Sequence, residues 1–209
     1  MVSFRYTSVM SSRIDLTKYE SMYNTFDGGH NKTHMKEVRN FAIKLGKKYC
    51  PDKSELLWVA ATLHDVGLSV ERENHELHSY ELIKNDEIVK SVYSEREFDE
   101  ILEAIKEHRA STGNPQGIAA KIVSDSDKVS DGTNRAFQRA YEWGKKHFPE
   151  INREGQLMRA AQHLYIKFGP GGSGTRLHFE ESRKRQKETY KPIFEALDNN
   201  DLKGMEVFL

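Results

Sequence analysis

The chain has 209 residues, of which 31% are charged, and its 32 basic side chains are balanced by 32 acidic ones. This length is enough for one domain with a buried core, and the neutral balance argues against a dedicated nucleic-acid binder. No stretch approaches the roughly 18 apolar residues of a membrane span, and Cys50 is the only cysteine, which excludes an internal disulfide. We therefore expect a cytoplasmic protein that does not enter a membrane.

Apolar periodicity predicts helices along most of the chain. The helix predicted over 32–49 has Met35, Val38, Ala42 and Leu45 at steps of three and four. Other helices are predicted at about 15–26, 55–63, 75–84, 95–108, 115–127, 133–147, 153–168 and 176–198, with a break at Asp27–Gly29. We find no strand of consequence, so the expected fold is all-α, a compact bundle of about eight to ten helices.

Capping signals predict where three of these helices begin. Asp52–Glu55 and Ser94–Glu97 have the spacing of capping boxes. Asn114–Pro115 is interpreted as a cap followed by proline at the first helical position.

A histidine and an aspartate stand side by side at the end of the most apolar helix. Leu56, Leu57, Val59, Ala60 and Leu63 make that helix apolar nearly all round, which predicts a central, buried position. The pair His64–Asp65 follows directly. A carboxylate at a buried helix C-terminus is disfavoured by desolvation and by the helix dipole, and a cation would remove both costs. Imidazole and carboxylate are ligand types that suit transition metals.

Other potential ligands stand at inward-facing helix ends. His34 lies at the edge of the buried face of its helix, His108 ends the apolar face that begins at Phe98, and Asp127 is in line with Ala120 and Val123. Asp125 is a rival to Asp127.

The order of these residues resembles a known family signature. His34, then His64–Asp65, then Asp127 is similar to the H…HD…D pattern of the HD-domain superfamily of metal-dependent phosphohydrolases. Residues 60–67, A-A-T-L-H-D-V-G, match its A-x-L-H-D-I/V-G block. The blocks at 29–38, 74–79, 104–109 and 120–128 are similar to the family's other motifs, so the likeness covers about 29–131.

The resemblance implies a single HD-type domain over 1–209, with its motif core at about 29–131 and C-terminal helices at 132–209 packing on it. It implies one divalent metal (Mn, Mg, Co, Ni, Fe or Zn) held by His34, His64, Asp65 and Asp127. Asp65 is also the expected catalytic residue, because it could orient the attacking water. A second metal or a phosphate is expected at His75 and His108. The implied reaction is attack of a metal-activated water on phosphorus, in a small phosphorylated substrate for which a nucleotide is the first choice.

Two departures from the family pattern remove positive charge that could meet phosphate. Glu37 stands where arginine is frequent, and Leu68 stands where lysine is frequent. Lys128 is expected to compensate, with Lys36 and Lys121 as further choices. The alternative is a catalytically weak or inactive metal-binding sensor or interaction module. His78, His147 and His178 are interpreted as surface or packing residues, and a homodimer is left open.

Overall fold

The computed structural model describes residues 12–26 and 29–209, and these contain eleven α-helices and no strand. Of the predicted break at Asp27–Gly29, Asp27 and Gly28 lie outside them, and Gly29 lies in a turn. The all-α prediction is confirmed. The helices are α1 Thr17–Met22, α2 Lys32–Tyr49, α3 Ser54–Leu63, α4 His75–Lys84, α5 Glu87–Val92, α6 Glu95–Lys106, α7 Ile118–Val129, α8 Thr133–His147, α9 Arg153–Phe168, α10 Glu180–Asp198 and α11 Leu202–Glu206. The short helices α5 and α11 were not predicted, because fewer than two turns give too little periodicity.

One of the three predicted helix starts is confirmed. The Ser94 hydroxyl accepts the Glu97 N–H at 3.4 Å and the Glu97 carboxylate accepts the Ser94 N–H at 2.9 Å, which completes a capping box for α6.

The other two predicted starts are wrong, and tertiary contacts explain one of them. The Glu103 carboxylate accepts the backbone N–H groups of Gln116 and Gly117, each at 2.8 Å, so the chain after Pro115 stays extended and α7 begins only at Ile118. Pro51–Lys53 forms a 3-10 turn, and α3 begins at Ser54 without a side-chain cap.

Helix α3 is the central element of the larger apolar core, as its composition predicted. Leu57, Val59, Ala60 and Leu63 are fully buried. Helix α2 packs on α3 and α7, and α6 packs on α3, α4 and α7. Helix α4 lies against the 3-10 segment Val66–Ser69. This arrangement brings the ends of α2, α3, α4, α6 and α7 to one side of the core.

A second, smaller apolar core joins α8 to α11. Phe137, Leu157, Ile193 and Met205 are its largest deeply buried members. The two cores are tied together by α10, which packs on α7 as well as on α8 and α9. Arg185 of α10 donates to the carbonyls of Val129 and Ser130 at 2.7 and 3.3 Å.

In the part of the chain that the structure describes, no helix is both long and apolar enough to cross a bilayer.

Candidate metal centre

Five helix ends meet at one buried group of side chains. His34 lies in the first turn of α2, His64 directly after α3, and His75 is the first residue of α4. His108 follows the end of α6, and Asp127 lies in the last turn of α7. The C-terminal ends of three helices face this group, and their dipoles favour a cation.

Asp65 stands at the centre of the group. Its Oδ2 lies 3.1 Å from His64 Nε2 and 3.5 Å from His34 Nε2, while its Oδ1 lies 3.3 Å from His75 Nε2 and 3.4 Å from His108 Nε2. The carboxylate therefore has one oxygen for each histidine pair.

Asp127 completes the first of these pairs. Its Oδ1 lies 3.1 Å from His34 Nε2 and 3.9 Å from His64 Nε2. The side chain of Asp127 is 23% exposed whereas that of Asp65 is 2% exposed, so solvent reaches the group from the Asp127 side. Two sets of three ligand atoms are close enough to hold a metal ion: His34, His64 and Asp127, and His64, Asp65 and His108.

The second ring nitrogen of three histidines is anchored by a backbone carbonyl. His64 Nδ1 donates to Ala61 O at 2.9 Å, His108 Nδ1 donates to Ile105 O at 2.6 Å, and His75 Nδ1 donates to Arg72 O at 3.0 Å. A carbonyl can only accept, so each Nδ1 carries a proton and each Nε2 is left to face Asp65. Anchoring of this kind orients metal-binding histidines.

His34 is anchored by a hydroxyl instead of a carbonyl. Ser130 Oγ donates to the Asp127 carbonyl at 3.0 Å, which leaves it to accept from His34 Nδ1 at 3.1 Å. The Nε2 of His34 thus also faces the centre.

These contacts fit a bound cation. Asp65 Oδ2 is buried and has no hydrogen-bond partner among the described residues. His75 Nε2 and His108 Nε2 lie 3.2 Å apart, and His34 Nε2 and His64 Nε2 lie 3.4 Å apart. Lone pairs that face one another at these distances repel unless a proton or a metal stands between them. Nitrogen and oxygen donors of this set suit a divalent metal.

The carboxylates and His34 shift one another's protonation. Burial favours the neutral form of His34, but the attraction of its ring to the Asp127 and Asp65 carboxylates outweighs burial and raises its pKa to about 9. Burial would raise the pKa of Asp65, yet His64, His108 and His34 hold it well below its usual range. Burial also acts to raise the pKa of Asp127, but His34, His108 and His64 lower it by more, so that the pKa of Asp127 is lowered as well. Both carboxylates are therefore anionic at neutral pH.

Asp127 faces the group, and its rival Asp125 does not. The buried Asp125 carboxylate accepts the N–H groups of His178 and Phe179 at 2.9 and 3.1 Å, and it pairs with His178 Nδ1 at 2.9 Å. Asp125 thus holds the segment that enters α10. Because Asp125 binds the backbone N–H groups of His178 and Phe179, α10 begins at Glu180 and not near residue 176, where it was predicted to begin.

The structure does not bring Lys128 to the histidines. Its ammonium donates to Ser124 Oγ at 2.8 Å and to Arg176 O at 3.1 Å, and burial lowers its pKa. Lys128 therefore ties α7 to the segment before α10, which departs from the expected role in phosphate binding.

Two residues beside the group were not predicted. The His30 ring lies 5.7 Å from that of His34 and 6.0 Å from that of His75, and burial lowers its pKa to about 4. Its position four residues before His34 was an available signal. The Tyr23 hydroxyl donates to Thr62 O at 2.8 Å and accepts the Asp65 N–H at 3.4 Å; no sequence pattern pointed to it.

Comparison with known proteins agrees with the geometry. A family model described as "HD domain" matches residues 32–132, a range that contains all four histidines and both aspartates of the group. The protein named "Uncharacterized protein MJ1020" of Methanocaldococcus jannaschii is 36% identical over 134 residues. The alignment covers 53% of this chain and 49% of that protein, so the chain spans about half the length of that relative. No solved structure matches significantly.

Proposed function

We infer from the match of residues 32–132 that the chain belongs to the HD-domain superfamily, and from this premise we propose that it is a metal-dependent phosphohydrolase acting on a small phosphorylated metabolite, with nucleotides as the first class to test. The observation that carries the proposal is the position of Asp65 between two pairs of Nε2 atoms. We extend the proposal to a cytoplasmic location and to one domain over residues 1–209.

The residues fit the metal as follows. His34, His64, Asp65 and Asp127 would hold one divalent ion. His75 and His108, together with Asp65, would hold a second. A divalent metal bound here lowers the pKa of a water molecule from about 15.7 toward neutrality and offsets phosphate charge.

The side chains of the protein would accept a hydrogen bond from the attacking water and hold the histidine rings in place. The Asp65 carboxylate is anionic, so it can accept a hydrogen bond from the attacking water and hold it in line with phosphorus. The carbonyl partners of His64, His75 and His108 keep each ring in place while charge develops. The exposed edge of Asp127 is the side from which a phosphate would enter.

The alternative of a non-catalytic metal-binding module was based on the charges missing at Glu37 and Leu68. Glu37 is paired with Arg135 of α8 at 2.8 Å. The Glu37 charge is therefore offset by Arg135, and this weakens the argument for the module.

The test compares metal content and turnover of Asp65→Ala and Asp127→Ala with the parent protein. Each variant should lose bound metal and all hydrolysis of a nucleotide and phosphoester panel, assayed with Mn, Co, Ni or Mg, while helical circular dichroism is kept. EDTA should abolish activity of the parent.

Two control variants remove other carboxylates. Asp99→Ala removes an exposed carboxylate of α6 and should change neither metal content nor rate. Asp125→Ala should lower stability but leave metal binding intact, because Asp125 binds the segment before α10. Full activity in Asp65→Ala would refute the site assignment.

A further inference from the structure

We propose that Tyr23 is a positioning residue of the candidate metal centre, and that its hydroxyl group holds His64 and Asp65 in place among the ligands from the other helices. The inference rests on the proposed function, because it assigns Tyr23 a role in metal binding. Tyr23 lies outside residues 32–132, which the HD family model matches. The proposal therefore makes the segment before α2 a part of the site.

Tyr23 directly follows α1 and is one of the largest fully buried side chains among the described residues. Its ring meets that of Phe26 edge to face, with the centroids 5.2 Å apart, and its centroid lies 6.5 Å from that of the His64 ring. Helix α1 packs on α3 and on the 3-10 segment Val66–Ser69. The Tyr23 ring is thus enclosed next to the turn that carries His64 and Asp65.

The hydroxyl oxygen of Tyr23 bonds to the backbone on both sides of His64. It donates to the Thr62 carbonyl at 2.8 Å and accepts the Asp65 N–H at 3.4 Å. The carbonyls of the last turn of a helix lack intrahelical partners. Thr62 is buried, so a donor from the protein must stabilise its carbonyl in place of water. The Tyr23 hydroxyl is such a donor, and it ties residue 62 to residue 65.

The turn that Tyr23 bridges carries two of the groups that face the centre. His64 Nδ1 binds the Ala61 carbonyl, so the ring of His64 follows the backbone of this turn. The Asp65 carboxylate lies between 3.1 and 3.5 Å from four histidine Nε2 atoms. A shift of the turn would move the His64 ring and the Asp65 carboxylate together, away from the ligands that α2, α4, α6 and α7 supply.

A separate contact holds α1 against α2 and α3. Arg39 Nη1 donates to Glu20 Oε1 at 2.5 Å and to Thr62 Oγ1 at 3.3 Å. Glu20 belongs to α1, Arg39 to α2 and Thr62 to α3, so one guanidinium links the three helices. This link does not involve the Tyr23 hydroxyl, so α1 should stay docked when that hydroxyl is removed.

The test compares Tyr23→Phe with the parent protein, because phenylalanine keeps the ring and removes only the hydroxyl. Each EDTA-treated full chain is titrated with Co²⁺ by calorimetry, at a temperature where circular dichroism shows both to be folded. We expect Tyr23→Phe to weaken Co²⁺ binding about 10- to 100-fold, the range found when a group that orients metal ligands is removed. The visible absorption spectrum of the bound Co²⁺, which reports the geometry of its ligands, should change as well.

Tyr19→Phe is the matched control, since Tyr19 is also buried and lies in α1. Its hydroxyl donates to Asp86 Oδ2 at 2.5 Å, at the start of α5 and not at the turn. A merely structural effect of a lost tyrosine hydroxyl would appear in both variants. Tyr19→Phe should lower the melting temperature but leave the Co²⁺ affinity and spectrum unchanged. Unchanged Co²⁺ affinity in Tyr23→Phe, or equal losses in the two variants, would overturn the proposal.

A measurement without metal separates this proposal from the proposed function. The ring nitrogen resonances of His64 and His34 are recorded by NMR, at one pH, in the EDTA-treated parent and in both variants. If the parent binds no metal and hydrolyses no phosphoester, the proposed function fails. The role of Tyr23 is then still supported if Tyr23→Phe alone shifts these resonances, and it is refuted if Tyr23→Phe leaves them unchanged.

Discussion

At the scale of single residues, the site depends on the hydrogen bonds of the Nδ1 atoms as much as on the Nε2 atoms that face Asp65. Each of His64, His75 and His108 has Nδ1 bound to a carbonyl three residues earlier in the chain. Such i−3 contacts form whenever a histidine closes or precedes a helical turn. The local backbone therefore keeps the proton on Nδ1 before any metal binds. The rings are already ordered in the folded protein, so metal binding causes little further loss of side-chain entropy.

Protonation of His34 leads to a prediction on pH. Its pKa of about 9 in the metal-free protein exceeds the ordinary 6.5, so the stability that its proton contributes is fully present below pH 6.5 and is lost as pH rises through about 9. A metal must displace this proton, so apparent metal affinity should rise over the same interval. The EDTA-treated protein should lose up to about 1.4 kcal/mol of unfolding free energy per pH unit in urea titrations.

His34→Gln is the control, because glutamine keeps a polar side chain but does not titrate. Its stability should lack this slope between pH 6.5 and pH 9. A parent protein whose metal-free stability is constant over that range would show that His34 does not carry the proton.

At the scale of elements, the second histidine pair depends on how closely α4 packs on the turn after Asp65. The Gly67 N–H donates to Ser79 Oγ at 2.8 Å. A Cβ at Gly67 would overlap the His75 carbonyl oxygen and the Ser79 nitrogen, which are backbone atoms of α4. Only glycine permits this approach, so a glycine two residues after Asp65 fixes the distance between Asp65 and His75.

Gly67→Ala should therefore push α4 outward and displace His75. We expect a loss of about 1–3 kcal/mol in unfolding free energy from overpacking, together with weaker binding of a second metal equivalent. Gly132→Ala is the matched control, because nothing lies within 4 Å of a Cβ there. It should cost about 1 kcal/mol or less as a change of N-cap. Equal losses in the two variants would contradict the packing explanation.

At the scale of the whole molecule, two apolar cores meet across polar contacts that start next to the metal ligands. Asp125 and Lys128 lie on α7 beside Asp127, and both bind the segment that leads into α10. Arg185 of α10 binds carbonyls at the end of α7. The helix that carries Asp127 is thus also the helix that joins the cores.

From this joint we predict that the two cores unfold together. Scanning calorimetry should give one transition whose calorimetric and van't Hoff enthalpies agree. Phe137→Ala, in the smaller core, should lower stability by about 3–5 kcal/mol and weaken metal retention as well. A second transition, or a Phe137→Ala protein that keeps its metal to the parent's temperature, would mean that the cores are independent.

The sequence by itself was sufficient for the fold class and for the long helices. Long helices repeat their apolar pattern several times, so α2, α8 and α9 have the predicted bounds. The capping box at Ser94 is local chemistry within four residues, and the structure contains it.

The tertiary structure alone decided where α7 and α10 begin and which groups the charged side chains of α7 bind. Glu103 delays α7, Asp125 delays α10, and the Lys128 ammonium binds the Ser124 hydroxyl and the Arg176 carbonyl. Periodicity and motif spacing depend on residues that are neighbours along one helix. The contacts that delay α7 and α10 join side chains to backbone groups far away in the sequence, and local patterns carry no information about them.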